Sequence, residues 1–322
     1  MKILVTGKDG QLGRAFQKEL DGLSQHLDIN VIVRFIGRQD CDLSNLSALD
    51  LILKNFQPHV IINTAAYTAV DKAEQEIDLA FVINSAVPQL LARYAVAHGA
   101  TLLHYSTDYV FDGSGSCSYS EDHPANPLGI YGKSKAEGEQ LIANEFSKER
   151  VPSARYAILR TSWVYGDGGN FIRTILRLAH ERSELKVIAD QFGVPTSAEW
   201  LVHLSSEFLF DLSLDGLVSI REFQSGIYHA VPSGETTWYG LACEVVRVAR
   251  ELDKSLALSP EGIVPIPAVE YPLPAPRPMN SRFSTAKLAA EFERLGLMSK
   301  LVNSANGLNQ SWDQGVRAYI NE

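Results

Sequence analysis

The chain has 322 residues, 45% of them apolar, with a formal charge of -9; it is long enough for one large α/β domain or two unequal ones and too apolar for wholesale disorder. The acidic balance argues against a sequence-independent nucleic-acid binder, which needs a basic face, and three scattered cysteines (Cys41, Cys117, Cys243) argue against structural zinc or a disulfide framework. The opening run Ile3-Leu4-Val5 is too short for a signal peptide and no segment reads as a bilayer span, so a cytoplasmic location without a membrane partner is expected.

Ile3-Leu4-Val5 reads as a buried strand ending at Gly7, followed by helical spacing from Leu12 to Leu20. Val31-Ile32-Val33 is a second strand. Asn45 to Phe56 is a helix, with Asp42 or Ser44 as candidate caps. Val60-Ile61-Ile62 is a third strand, and Ala80 to Ala97 a helix that Pro88 must start or kink. Thr101 to Tyr105 is a fourth strand, Tyr131 to Phe146 a helix and Ala157-Ile158-Leu159 a fifth strand. This alternation predicts an α/β fold, a doubly wound parallel-sheet (Rossmann) domain over residues 1–165. Beyond it the pattern loosens. Phe171 to Arg182 and Trp238 to Leu252 read as helices, and Pro260 to Pro278 as an extended, ordered loop. A smaller C-terminal substrate-binding domain over 166–322 is expected, with Gly226 to His229 returning as a strand to the main sheet.

Gly7-Lys8-Asp9-Gly10-Gln11-Leu12-Gly13 spells GxxGxxG between the first strand and the first helix. Glycine serves a tight turn with positive φ and lets a pyrophosphate approach the backbone, while the helix N-terminus offers free N–H groups. A dinucleotide is the expected ligand. At the end of the second strand Arg38 is a candidate clamp for a 2′-phosphate, with Arg34 as a second, which favours NADPH and leaves NADH open. Asp42-Leu43 would lie by the adenine. The small residues of Asn63-Thr64-Ala65-Ala66-Tyr67, after the third strand, would let the cofactor pass close to the backbone.

Tyr131-Gly132-Lys133-Ser134-Lys135 is a Y-x-x-x-K motif opening a helix, and the i,i+4 spacing puts both side chains on one face. An ammonium beside the phenol is expected to lower the tyrosine pKa, so that Tyr131 can give a proton to a carbonyl as hydride reaches its carbon. Thr107, at the carboxyl end of the fourth strand, is placed to bond the same oxygen. Trp163, after the fifth strand, offers a flat face to a sugar or a nicotinamide.

Together these residues resemble the extended short-chain dehydrogenases/reductases and, within them, the dTDP-4-dehydrorhamnose reductase family. The match runs through GKDGQLG from Gly7, NTAAYTAVDKAE from Asn63, HYSTDYVFDG from His104, YGKSK from Tyr131 and RTSWVYG from Arg160. It continues through DQFGVPTSAE from Asp190, TTW from Thr236 and RPMNSRF from Arg277. The resemblance implies NAD(P)H-dependent reduction of the C4 ketone of dTDP-4-dehydro-L-rhamnose. It implies Tyr131 as proton donor, Lys135 on the nicotinamide ribose and Thr107 as the tuner of proton transfer. It further implies Gly10, Gln11, Leu12, Asp42, Leu43, Ala66, Tyr67 and Thr68 at the cofactor, and Thr107, Asp108 and Trp163 at the sugar. Other readings of the same motifs are an epimerase, a ketoreductase of different stereochemistry, or a non-catalytic dinucleotide-binding subunit. Some members are bridged into dimers by magnesium through a glutamate at the position of Ala15, with Glu199 and Asp313 matching the other ligands. Alanine leaves that set one oxygen short. No required magnesium is expected, that dimer is not carried over, and a homodimer of another kind stays open.

Overall fold

The computed structural model describes residues 1–26, 31–148, 151–212, 218–252, 255–298 and 307–321. Six parallel strands form the main sheet: β1 (Lys2–Thr6), β2 (Ile32–Ile36), β3 (Val60–Asn63), β4 (Thr101–Thr107), β5 (Arg155–Thr161) and β6 (Gly226–His229). Their spatial order is β6-β5-β4-β3-β1-β2. The chain leaves β1 for β2 on one side and then crosses to β3 on the other. The carboxyl ends of β1 and β3 therefore flank a switch point, where open α/β sheets bind ligands.

The principal helices are α1 (Gln11–His26), α2 (Leu46–Phe56), α3 (Val87–His98), α4 (Ile130–Lys148), α5 (Phe171–Glu181), α6 (Ala198–Leu209), α7 (Trp238–Leu252), α8 (Ala286–Arg294) and α9 (Trp312–Asn321). Ile3, Val5 and Ile62 face Phe16 of α1 and Leu201 and Phe208 of α6. Leu4, Ile61, Leu102 and Ile158 turn to the other face, against Leu49, Leu91 and Ile142 of α2, α3 and α4. A third cluster joins α5, α7 and α9 through Ile172, Val245 and Val316.

The structure revises four local readings. The cap of α2 is Asn45, whose side chain accepts from the Ala48 N–H, whereas Asp42 binds Ser44 in a turn just before it. The helix through Pro88 starts earlier, at Ile77, and widens into a π segment over Val82–Ala86 before α3. Proline donates nothing to the Asn84 carbonyl, and that oxygen packs on Gly138 of α4, where a Cβ would stand only 2.1 Å from it. This 22-residue helix, Ile77–His98, is also long and apolar enough to cross a membrane, contrary to expectation, although 56% of its apolar window is buried inside the fold. Finally, the proline-rich stretch contains a strand, Ile263–Ile266, paired in parallel with Leu185–Ile188. Proline is tolerated there because the pair has open edges.

Candidate active site

Gly7 ends β1 at φ +75°, and a Cβ on it would come within 2.7 Å of the Ala65 backbone nitrogen. Gly13 is tighter still: a Cβ would lie 2.2 Å from the Gly7 carbonyl oxygen. Gly10 closes the turn by donating its N–H to that oxygen at 3.0 Å. Gln11, at the first position of α1, donates to the Gly169 carbonyl, and Leu12 packs on the core. The loop is thus pressed between β1 and the Ala65-Ala66 segment after β3, as a backbone cradle for a pyrophosphate requires.

Beyond β2, Arg38 is exposed and close enough to Asp42 to lower its carboxyl pKa, after the stronger effect of the Ser44 donors. Arg34 instead lies over the Phe56 ring at 5.9 Å. The structure adds Lys8, whose ammonium pairs with Asp40 at 2.6 Å while Asp40 accepts from the Gly37 N–H. Two cations, Lys8 and Arg38, therefore stand by the carboxyl end of β2. Leu43 is half-buried. Tyr67 is fixed by its N–H to the Asn84 side chain at 2.8 Å and by its hydroxyl to Glu76 at 2.6 Å, and Thr68 is exposed.

Helix α4 brings Tyr131 and Lys135 beneath the end of β4. Its Gly132 allows this approach, because a Cβ there would be 2.1 Å from the Tyr109 carbonyl oxygen. Tyr131 is half-buried and meets Tyr109 edge-on at 5.3 Å. Burial pushes its phenol up to about 12, a hydrogen bond with Thr107 pulls it down, and the charge of Asp108 pushes it up again. Lys135 is 1% exposed. Its Nζ donates to the Tyr105 carbonyl at 2.5 Å and stands 3.1 Å from His104 Nε2. Burial draws the ammonium down to about 8, against the charge of Glu139. The expected lowering of the tyrosine by its lysine is therefore not seen: the ammonium is held by Tyr105 and His104, and desolvation dominates both groups.

His104 continues inward. Its Nδ1 is 2.9 Å from the Asn63 amide nitrogen, and Asn63 accepts from the Thr6 hydroxyl at 2.6 Å. A buried polar chain thus runs from Lys135 across β4 and β3 to β1. Below Lys135, Glu139 forms a doubly bonded ion pair with Arg160, both 4% exposed. Thr107 donates to Asp108 Oδ1 at 2.9 Å and accepts from the Tyr109 N–H at 3.2 Å. Asp108 also accepts from Ser281 at 2.5 Å. Its carboxyl is pushed up to about 6 by burial, against the Ser281 and Thr107 donors.

Trp163 has φ 49° and stacks on Trp238 at 3.7 Å and 12°. Gly193 lies against its edge, where a Cβ would be 2.5 Å from the indole. One indole face is thus already covered. Lys8, His104, Ser281 and Trp238 carry no role in the sequence analysis, although all four fall inside the quoted motifs, Trp238 as the last residue of TTW. Magnesium does not fit the residues present. Ala15 is buried in the core and has no donor atom. Glu199 accepts from Ser197, and the Lys18 ammonium lies 3.9 Å from Glu199 and 2.7 Å from Asp167, placing a cation among these carboxylates already.

A parallel sheet opening on a glycine turn, with a tyrosine and a threonine at the end of β4, two strands away, is the arrangement of the extended short-chain dehydrogenases/reductases. Comparison narrows the class. The RmlD substrate binding domain family matches residues 1–297. The chain is 39% identical over 324 residues to the dTDP-4-dehydrorhamnose reductase of Escherichia coli (strain K12), spanning 100% of this chain and 98% of that one. A solved dTDP-4-dehydrorhamnose reductase from Clostridium acetobutylicum superposes with a TM-score of 0.80 at 34% identity, covering 100% and 99% of the two chains. One from Bacillus anthracis, in complex with NADP, gives 0.78 at 32% identity, covering 99% and 98%. The chain belongs to the dTDP-4-dehydrorhamnose reductase family.

Proposed function

We propose that this protein reduces the C4 ketone of dTDP-4-dehydro-L-rhamnose to give dTDP-L-rhamnose, with NADPH as reductant. The observation that carries the reading is the Tyr131–Thr107 pair at the carboxyl end of β4, near the switch point flanked by the glycine turn. The bound dinucleotide supplies the hydride. Gly7, Gly10 and Gly13 with Gln11 and Leu12 would cradle its pyrophosphate, and Ala65, Ala66, Tyr67 and Thr68 its path across β3. Asp42 and Leu43 would border the adenine. Lys8 and Arg38 support NADPH over NADH, since both cations stand by the carboxyl end of β2, the strand whose end meets the adenosine ribose in dinucleotide-binding folds. Lys135, once its Nζ meets the nicotinamide ribose, keeps a positive charge below Tyr131 and stabilises the phenolate left when the proton goes to the sugar oxygen.

Trp163, in its stack with Trp238, would wall the sugar, and residues 166–322 would supply most of the sugar-nucleotide contacts. The three cysteines are free thiols, which supports a reducing, cytoplasmic setting. The test is NADPH-dependent conversion of dTDP-4-dehydro-L-rhamnose, with the product's C4 configuration read by NMR. An L-rhamnose product at a higher kcat/KM with NADPH than with NADH is expected. Tightly retained NAD with no NADPH consumption would point instead to an epimerase.

A further inference from the structure

His104 opens the HYSTDYVFDG run and sits at the centre of a polar chain to which the reaction above gives no part. Lys135 is 1% exposed, and His104, Asn63 and Thr6 are fully buried, so every hydrogen among them must be matched inside the protein. From Lys135 Nζ the chain runs to His104 Nε2 at 3.1 Å, from His104 Nδ1 to the Asn63 amide at 2.9 Å, and on to the Thr6 hydroxyl at 2.6 Å. Burial and the neighbouring lysine hold the imidazole well below its ordinary pKa, so the ring is neutral and carries one hydrogen, on one nitrogen or the other. An ammonium can only donate. With Lys135 charged, Nε2 must therefore be bare, the hydrogen sits on Nδ1, and Asn63 must offer it an oxygen. The amide as it stands gives His104 its nitrogen and Thr6 its oxygen. That is the opposite pattern: Nδ1 accepts, Nε2 keeps the hydrogen, and Nζ can take it only as an uncharged amine. A half turn of the amide converts one pattern into the other, because its two ends have nearly the same shape and the Thr6 hydroxyl can give or take.

We propose that His104 and Asn63 are positioning residues acting through Lys135: the turn of the Asn63 amide and the tautomer of His104 change together with the charge on Nζ, so the chain holds an ammonium only when Asn63 presents its oxygen to the ring. This deepens the reductase reading and rests on it, since that reading needs the positive charge below Tyr131. Between the two patterns the cluster takes up one proton net. The ring keeps a single hydrogen throughout, on Nε2 beside the amine and on Nδ1 beside the ammonium. The Tyr105 carbonyl accepts from Nζ in both. The titratable groups facing Lys135 are His104 from β4, with Tyr131 and Glu139 one turn to either side on α4, and Glu139 is paired with Arg160 of β5. Tyr109, Asp108 and Tyr67 lie beyond Tyr131. β3 and β1 bring Asn63 and Thr6, neither of them titratable, so this side of Lys135 adjusts it by hydrogen bonding alone.

The experiment follows the ring itself, by long-range proton–nitrogen NMR of histidine-labelled protein from about pH 6 to 9, alongside kcat for wild type, His104→Phe, His104→Gln and Asn63→Asp. The His104 signals are identified by their loss in His104→Gln. In wild type the ring hydrogen is expected on Nδ1 at the acid end and on Nε2 at the alkaline end, crossing over where kcat falls. His104→Phe removes a lone pair that favours the ammonium, so the alkaline limb is expected to move down by about one pH unit with the sugar KM within about threefold. His104→Gln can bring a side-chain oxygen to the same hydrogen and is expected to return the limb toward wild type. Ionised, the carboxylate of Asn63→Asp only accepts and pins the hydrogen on Nδ1, so the limb is expected to move up by about one unit. Shifts of the same sign in His104→Phe and Asn63→Asp, or a ring hydrogen that stays on one nitrogen across the range, would overturn the proposal. If a buried variant does not fold, the wild-type spectra decide. A wild type without reductase turnover would sink the reductase reading instead, and the ring nitrogens would still decide the link to Lys135.

Discussion

The glycine turn offers the sharpest quantitative test, because two of its glycines differ in what surrounds them. A methyl group on Gly13 would stand 2.2 Å from the Gly7 oxygen and 2.7 Å from Lys8 Cα, whereas one on Gly10 would meet the same oxygen at 3.4 Å. The first contacts are backbone, which cannot rotate away, so the loop must shift by about an ångström to restore ordinary van der Waals contact. Overpacking of this kind costs about 1–3 kcal/mol. In a chain of this size that lowers Tm by roughly 2–6 °C. If the displaced turn also carries the pyrophosphate site, the same energy weakens NADPH binding about 5- to 150-fold. Thermal unfolding and fluorescence titration with NADPH measure the two effects. Gly10→Ala is expected to leave Tm within about 1 °C, since its methyl makes only an ordinary contact. A Gly13→Ala protein that melts and binds like wild type would refute the packing argument.

Other expectations follow from the same geometry. Tyr131→Phe should lower kcat by about 100- to 10,000-fold while leaving the NADPH Kd within about threefold, because it removes a proton donor and little contact area; an unchanged kcat would remove Tyr131 from the chemistry. Lys135 sits near 8 and is charged below that pH, so the rate should fall as pH rises through about 8. The alkaline limb should be absent in Lys135→Met, on a much reduced rate. Glu139→Gln leaves the Arg160 guanidinium buried without its carboxylate, which should destabilise the fold by about 3–5 kcal/mol; a melting point equal to wild type would mean that the pair is hydrated. Dialysis against EDTA should leave the rate unchanged, and a loss reversed by magnesium alone would show that the carboxylates around Lys18 bind the metal after all.

The glycine turn, the strand–helix alternation, and the placement of Tyr131 and Lys135 on one helix face were legible in the sequence because each is encoded by local spacing. Apolar period marks strand from helix, and glycine marks a backbone that must approach another. Element ends were less legible. Asn45 rather than Asp42 caps α2, and the strand at Ile263–Ile266 lay hidden among prolines, because caps and short edges depend on contacts beyond the window.

What only the tertiary structure decided is the wiring. Thr6 and Asn63 stand 57 residues apart, and Asp108 and Ser281 173 apart. Periodicity places a side chain on a face but does not name the atom it will meet there. Nor does spacing report desolvation: the sequence put an ammonium beside a phenol and implied a lowered pKa. The fold buried the Lys135 ammonium against Tyr105 and His104 and kept the Tyr131 phenol near 12. Burial is a property of everything packed around a group, and it exists only once the chain has closed.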